Sequence, residues 1–186
     1  MSKREQILNT TLDLVAELGF HATSIPLIIK RSGAAAGTIY YYFKNKEELI
    51  DTLYSELKRE MGAAIVQNID AQMPFKEKFF LILKNLYNFF INNPKKFEFI
   101  EDYSNSPFVR KEIKIINQRH YQEAIDFIES GLKMGVLRDL PINLLMNIIF
   151  GNISTLVRMI LLEEIEASTK LLENTIQSSW DSVKIN

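Results

Sequence analysis

Apolar residues recur at intervals of three and four along nearly the whole chain, and no sustained alternation of apolar and polar positions appears. The first spacing marks one face of an α-helix, whereas a half-buried strand needs the second. The pattern therefore predicts an all-α protein of about nine helices.

The first 46 residues contain three helical segments separated by turn signals. An apolar stripe covers about 3–18 and is followed by Gly19, a residue that commonly ends a helix. A hydroxyl of Thr23-Ser24 caps a second segment, which ends at Gly33. A third, very short segment covers roughly 36–43. These helices predict a small N-terminal helix-turn-helix domain.

We place the domain boundary between residues 1–46 and residues 47–186, and expect a larger helical domain after it. A long fourth helix begins at Asn45 or Lys46 and covers Glu47 to about Ile69. Prolines then separate the remaining helices. Their predicted ranges are 74–91, 95–103, 107–134, 141–164 and 166–183.

Composition is that of an ordinary soluble protein, with 186 residues, 47% hydrophobic and 24% charged. The net charge is only −1, but residues 1–46 hold six Lys and Arg against three acidic residues, a net +3. This asymmetry has the sign expected if the N-terminal part contacts phosphate.

Several classes of chemistry find no support in the sequence. The absence of cysteine excludes disulfides, thiolate catalysis and cysteine-based metal sites. His21 and His120 lie far apart in sequence, and no nucleophile–base pair or glycine-rich phosphate loop is present. We therefore expect no enzyme, no metal and no cofactor.

The longest apolar stretch, Ile142 to Leu162, contains three asparagines and an arginine. A membrane span needs about 18–20 predominantly apolar residues. We interpret the stretch as a buried or subunit-contacting helix, and expect a cytoplasmic protein without membrane contact.

Residues 33–46 read Gly-Ala-Ala-Ala-Gly-Thr-Ile-Tyr-Tyr-Tyr-Phe-Lys-Asn-Lys and are the most informative segment. At about 100° per residue, one helical face carries hydroxyls and rings, namely Thr38, Tyr41 and Tyr42. The other face is apolar and carries Ile39, Tyr40 and Phe43, of which we expect Tyr40 and Phe43 to be core. Such a helix is suited to contact nucleic acid.

The ordered residues of the first 50 positions resemble the TetR (tetracycline-repressor-like) family of bacterial regulators. The matching pieces are Ile7-Leu8, Leu12-x-Leu14-Val15-Ala16-Glu17-x-Gly19-Phe20, Ala22-Thr23-Ser24, Ile28, Gly33, Gly37-Thr38-Ile39-Tyr40-Tyr41-Tyr42-Phe43, and Lys46 with Leu49. The resemblance implies a homodimer that binds a pseudo-palindromic operator in double-stranded DNA, and a small-molecule effector that most commonly releases a repressor.

Candidate DNA contacts follow from the exposed face and from the resemblance. They are Thr38, Tyr41, Tyr42, Lys46, Gly37 and Lys44. The alternatives are that the tyrosines simply pack and that Lys46, like Lys30 and Arg31, is solvated. The family's usual Val-Ser pair is replaced by Ala34-Ala35, so the recognition helix loses a cap worth roughly 1 kcal/mol.

Eight of the 12 phenylalanines lie between Phe75 and Phe108. Most should be core, but the family places an effector pocket among the helices of this region, and such pockets are largely apolar. The candidate lining residues are Phe79, Leu83, Tyr87, Phe99, Tyr103 and Tyr121. An apolar or aromatic effector is favoured.

The last two predicted helices carry more apolar surface than one helix pair needs to bury. The family uses this pair as a symmetric four-helix dimer interface. Candidate interface residues are Ile149, Ile153, Leu156, Ile160, Leu172, Ile176 and Trp180; the alternative is packing within one chain.

The sequence therefore predicts a homodimeric DNA-binding regulator, most simply a ligand-released repressor. An activator or ligand-insensitive regulator is the first alternative. A helical protein-interaction module that has lost DNA binding is another, and a helical enzyme would need ionisable groups converging on the pocket.

Overall fold

A computed structural model describes residues 2–106 and 109–185, without the side chains of Lys111 and Lys114. The described residues form ten α-helices and one 3-10 turn, Arg119–Tyr121, and contain no extended strand. The helices are α1 Lys3–Ala22, α2 Ile25–Ser32, α3 Ala36–Tyr42, α4 Lys46–Ile65, α5 Phe75–Ile91, α6 Pro94–Asn105, α7 Lys111–Gln118, α8 Gln122–Lys133, α9 Ile142–Leu161 and α10 Thr169–Val183. The all-α prediction is confirmed.

Local chemistry explains the ends of the first helices. Ser2 and Glu5 form a reciprocal capping box at the start of α1. Gly19 has a φ of 80° and interrupts α1 where the sequence predicts its end. Ser24 caps α2 by accepting from the Leu27 N–H, and Gly33 closes it with a left-handed φ of 65°.

The predicted single helix over 107–134 is wrong in its middle, and its start at Pro107 lies outside the described residues. The chain forms α7, a 3-10 turn and then α8 instead. Tyr121 leaves the helical region, with φ −128° and ψ 29°. The turn brings the His120 carbonyl against Gly62, so closely that a Cβ at this position would overlap the oxygen. Neither proline nor glycine lies beside Tyr121, so the sequence near the break gives no sign of it.

The fourth helix is also shorter than predicted. It ends at Ile65 rather than near Ile69, and Asn68 adopts a left-handed φ of 60°. Asparagine tolerates this conformation better than most residues, so the chain turns here without glycine.

The residues group into two compact units. The first unit comprises Met1–Lys58 and Pro94–Asn117, and the second comprises Arg59–Asn93 and Gln118–Asn186. The first unit thus extends beyond residue 46 and also contains α6 and nearly all of α7. The predicted domain boundary at residue 46 stays a prediction. Fully buried aliphatic side chains fill the first unit, among them Ile7, Leu14, Ile28, Ile39 and Leu49.

In the second unit, α9 packs on both α10 and α5. This packing buries six of the seven side chains assigned to a dimer interface within the single chain, and their assignment to the interface stays a prediction. The six are Ile149, Ile153, Leu156, Leu172, Ile176 and Trp180, each at most 8% exposed. Only Ile160 of the set keeps intermediate exposure.

Candidate nucleic-acid interface

The third helix is held by two buried side chains four residues apart. Ile39 is fully buried and Phe43 is 2% exposed. The turn before α3 is fixed by Ser32, whose Oγ accepts from the Ala34 N–H at 3.2 Å and whose carbonyl accepts from the Gln6 amide at 2.8 Å. The helix is therefore anchored at both ends although it has only seven residues.

Three consecutive tyrosines stand on the outside of this anchored helix. Tyr41 is 81% exposed, Tyr40 55% and Tyr42 37%. The expectation that Tyr40 is core is wrong. Taking the direction midway between Ile39 and Phe43 as inward, Tyr40 and Tyr42 each lie about 80° from it, on opposite sides, and Tyr41 lies opposite.

The side chains of the exposed face are pre-ordered by ring contacts. The Tyr41 and Tyr42 rings meet edge to face at a centroid distance of 5.1 Å, and Tyr42 lies 6.1 Å from the buried Phe43 ring. Thr38 has intermediate exposure and Gly37 is exposed. Aromatic pairs of this kind restrict side-chain freedom, so less entropy is lost when a surface contacts another molecule.

The start of α3 has no side-chain cap, as predicted. Ala35 occupies the N-cap with φ −63° and ψ 147°, the extended conformation that a capping serine adopts. Ala35 is exposed, whereas Ala34 is buried.

The junction between α3 and α4 is tightly hydrogen-bonded. Asn45 Oδ1 accepts from the Glu48 N–H at 2.8 Å, and Glu48 Oε2 accepts from the Lys44 N–H at 2.7 Å. The Lys44 side chain is exposed. Lys46 has intermediate exposure and its Nζ donates to the Phe20 carbonyl at 2.5 Å, so its ammonium is positioned at the end of α1.

Ion pairs join the elements that support α3. Arg31 of α2 pairs with Glu17 of α1 through two bonds of 2.8 and 2.6 Å. Lys95 of α6 donates to Asp13 of α1 at 2.5 Å. Each exposed ion pair adds little stability. The pair with Glu17 nevertheless engages the Arg31 guanidinium, for which the sequence leaves open a solvated position or a phosphate contact.

A cavity of about 250 Å³ also lies within the first unit. Its lining combines aromatic and aliphatic groups with ionisable ones, namely Phe20, His21, Lys46, Glu47, Ile50, Asp51, Tyr103 and Arg110. Asp51 is 6% exposed and accepts from the Tyr103 hydroxyl at 2.8 Å and from Arg110 Nη2 at 2.6 Å. Burial, with the Asp51 carboxylate, raises the pKa of Tyr103, and the hydrogen bond to Asp51 raises the pKa of Arg110.

Sequence reasoning missed Asp51 and Arg110 because they are 59 residues apart and no motif joins them. The one available signal was an aspartate inside the otherwise apolar stripe of the fourth helix, between Ile50 and Leu53. A buried carboxylate at such a position needs a partner.

The six predicted effector-lining residues are divided between the two units. Phe79, Leu83, Tyr87 and Tyr121 belong to the second unit, where Phe79 and Leu83 are buried. Phe99 and Tyr103 belong to the first unit, where their rings lie 5.0 and 5.4 Å from that of Phe20. The effector pocket stays a prediction.

Among the residues described, α9 is long and apolar enough to cross a bilayer by length and composition alone, and 28% of its apolar stretch is buried in the single chain. One outer stripe of α9 follows helical spacing. It contains Leu144, Ile148, Gly151, Thr155 and Arg158, and Leu162 follows at the end of the helix; all have intermediate or high exposure. The helix therefore presents an uncovered face that is largely apolar.

The chain matches two family models. Residues 7–53 match "Bacterial regulatory proteins, tetR family", and residues 54–185 match "Tetracyclin repressor-like, C-terminal domain". The chain is 25% identical over 177 residues to the Fatty acid metabolism regulator protein of Bacillus subtilis (strain 168), covering 94% of this chain and 91% of that protein.

Two solved structures share the fold. A putative TetR family transcription regulator from Shewanella sp. PV-4 superposes with a TM-score of 0.92, 24% identity and full coverage of both chains. The transcriptional regulator FadR from Bacillus subtilis, in complex with stearoyl-CoA, gives a TM-score of 0.73 and 21% identity, with 95% of each chain covered. Because one matched model alone spans more than half of the chain and the helix-turn-helix model precedes it directly, the protein belongs to the TetR family of helix-turn-helix transcriptional regulators.

Proposed function

We propose that this protein is a homodimeric cytoplasmic repressor that binds a pseudo-palindromic operator and leaves it when a long-chain acyl thioester binds. The observation that carries the proposal is the outward face of α3. Two buried anchors, Ile39 and Phe43, leave Thr38 and three tyrosines available to a DNA groove.

The chemistry of this face suits a duplex. Phenol and threonine hydroxyls hydrogen-bond phosphate oxygens, and tyrosine rings contact the thymine methyl group. Lys46, Lys44 and the net +3 of residues 1–46 add the electrostatic attraction. Tyr41 and Tyr42 are the residues we assign to the groove, with Tyr40 added because it is exposed.

The uncovered face of α9 supports the dimer. Leu144 is 47% and Leu162 is 62% exposed, and no side chain fills the space at Gly151. Such a stripe would be covered by the same stripe of a second copy around a two-fold axis. Two recognition helices can then read half-sites roughly 34–36 Å apart.

The effector class is inferred from the relatives together with the composition of this chain. The similar Bacillus subtilis protein is named for fatty acid metabolism, and the structure of FadR contains stearoyl-CoA. The concentration of phenylalanines between residues 75 and 108 suits an acyl chain better than a sugar. The effector would act by preferring the dimer geometry that cannot span the operator.

The test is fluorescence anisotropy with the DNA upstream of the protein's own gene, over a salt series. Binding should weaken steeply with salt, because phosphate contacts release counterions. Stearoyl-CoA should release the DNA, and CoA without an acyl chain should not. DNA binding that ignores stearoyl-CoA would refute the effector but not the regulator.

Variants separate the DNA site from general charge. Tyr42→Phe and Lys46→Gln should each weaken operator binding, and Lys46→Gln should also reduce the salt slope by about one per copy. Lys133→Gln, on the exposed surface of α8, is the matched control. Unchanged affinity in both test variants would discard the site assignment, whereas the absence of salt-sensitive DNA binding would favour an interaction module.

A further inference from the structure

We propose that the cavity of the first unit is a second binding site, which takes a compact amphipathic carboxylate and lowers operator affinity. It is separate from the proposed acyl thioester site, because its volume of about 250 Å³ lies below the 300–1,000 Å³ of pockets for drug-sized ligands. A long-chain acyl thioester is too large for it.

The polar side of the cavity has hydrogen-bond donors to spare. Both oxygens of the buried Asp51 carboxylate already accept, one from Tyr103 and one from Arg110. Within the described part of the chain, the hydrogen bond from Arg110 to Asp51 uses one of the five N–H donors of the guanidinium, and 65% of the Arg110 side chain is exposed. Donor groups with this surplus recognise an anion, and a planar guanidinium recognises a carboxylate best.

Lys46 adds a second cation at the same cavity. Its ammonium uses one donor on the Phe20 carbonyl and has three in all. Glu47 is the exposed acid of the lining, and it disfavours a multiply charged anion. With Asp51, the lining holds two carboxylates and two cations, so a single ligand carboxylate would be held by the hydrogen-bond donors of Arg110 and Lys46 rather than by an excess of positive charge.

The remaining lining is apolar and partly aromatic. The rings of Phe20 and Tyr103 lie 5.4 Å apart, and Ile50 is 4% exposed. These groups would cover a flat or short apolar body rather than a hydroxyl-rich one, because a buried hydroxyl without a partner is costly. The ligand class is therefore a small aromatic or short aliphatic acid.

Occupancy has a consequence for DNA binding. Lys46 is also a proposed phosphate contact, and it is the first residue of α4, four residues after the last residue of α3, Tyr42. A carboxylate that engages Lys46 competes with phosphate for it. By linkage, operator DNA must weaken the binding of the acid by the same factor.

The experiment is calorimetric titration of the full-length protein with phenylacetate and with its neutral counterpart phenylacetamide. We expect saturable binding of phenylacetate only, weakened at least tenfold in Arg110→Gln and largely restored in Arg110→Lys. Arg119→Gln, an exposed arginine of the second unit, should bind as the unaltered protein does. Thermal unfolding checks that each variant is folded.

Two further readouts locate the site. Trp180 is the single tryptophan and belongs to the second unit, so its emission should not change with phenylacetate. Release of operator DNA by stearoyl-CoA should persist in Arg110→Gln, so that failure of this site is distinguishable from failure of the acyl thioester proposal. Equal binding of the acid and the amide, or equal binding by Arg110→Gln, would overturn the inference.

Discussion

Replacing Ala35 with serine should both stabilise the protein and tighten its hold on the operator. Ala35 already has the extended backbone of an N-cap, and its side chain is exposed, so a hydroxyl enters without steric cost. Ser24 performs this role at α2, where its side chain accepts from the Leu27 N–H. A serine at 35 would accept in the same way from the N–H of Gly37 or Thr38.

The two expected gains have different magnitudes. The cap contributes about 1 kcal/mol, which raises Tm by roughly 2–4 °C in a chain of this size. A hydroxyl donated to phosphate contributes about 0.5–1.5 kcal/mol in each copy. Because the proposed dimer makes the contact twice, the gain is about 1–3 kcal/mol, and operator affinity should rise roughly 5- to 150-fold.

Aspartate at the same position separates the two effects. Ala35→Asp caps the helix as well as serine does, so Tm should rise equally, but its charge repels phosphate and operator affinity should fall. Ala36→Ser places a hydroxyl one position inside the helix and is the control. Calorimetry and fluorescence anisotropy measure the two quantities. An aspartate variant that binds DNA as tightly as the serine variant would refute the placement of phosphate beside α3.

Three further outcomes are expected. Burial lowers the pKa of Lys58 to about 8 from 10.5. Lys58→Met should therefore raise the free energy of unfolding at pH 7 by up to about 3 kcal/mol. This gain should vanish near pH 10.5, where the lysine of the unfolded chain also loses its proton. Chemical denaturation at both pH values tests this, and a gain that is constant with pH would contradict it. Gly62→Ala should cost about 3 kcal/mol or abolish folding, because its Cβ would meet the His120 carbonyl; a thermal melt that matches the unaltered protein would show that the contact is absent. Leu144→Glu should convert the proposed dimer to monomer in native mass spectrometry, whereas Ile115→Glu, at an isoleucine 66% exposed on α7, should leave the proposed dimer intact.

The order of helices and most of their ends could be predicted from the sequence because their signals are local. Gly19, Gly33 and Ser24 act on their own backbone or on neighbours within four residues, and each acts as predicted. The buried anchors of α3 were also predictable for Ile39 and Phe43, since four residues are about one helical turn.

The errors come from contacts between distant segments. Tyr40 is exposed because two anchors, rather than three, hold a helix of seven residues. The helix break at Tyr121 occurs where the His120 carbonyl approaches Gly62, a contact that no pattern within 107–134 encodes. The burial of Ile153 within one chain likewise depends on which stripe of α9 its neighbours cover, while its assignment to the dimer interface stays a prediction.

The hydrogen bonds of Lys44, Asn45 and Glu48 make the link between α3 and α4 a stiff joint rather than a hinge. A helix of 20 residues such as α4 is about 30 Å long, so a tilt of about 10° moves its far end by about 5 Å. In the proposed regulator, a link held by these bonds would transmit such a tilt of α4 to the tyrosines of α3. Replacing Asn45 with glycine would remove one of these hydrogen bonds, and in the proposed regulator it would uncouple a tilt of α4 from the position of α3 while both helices stay folded.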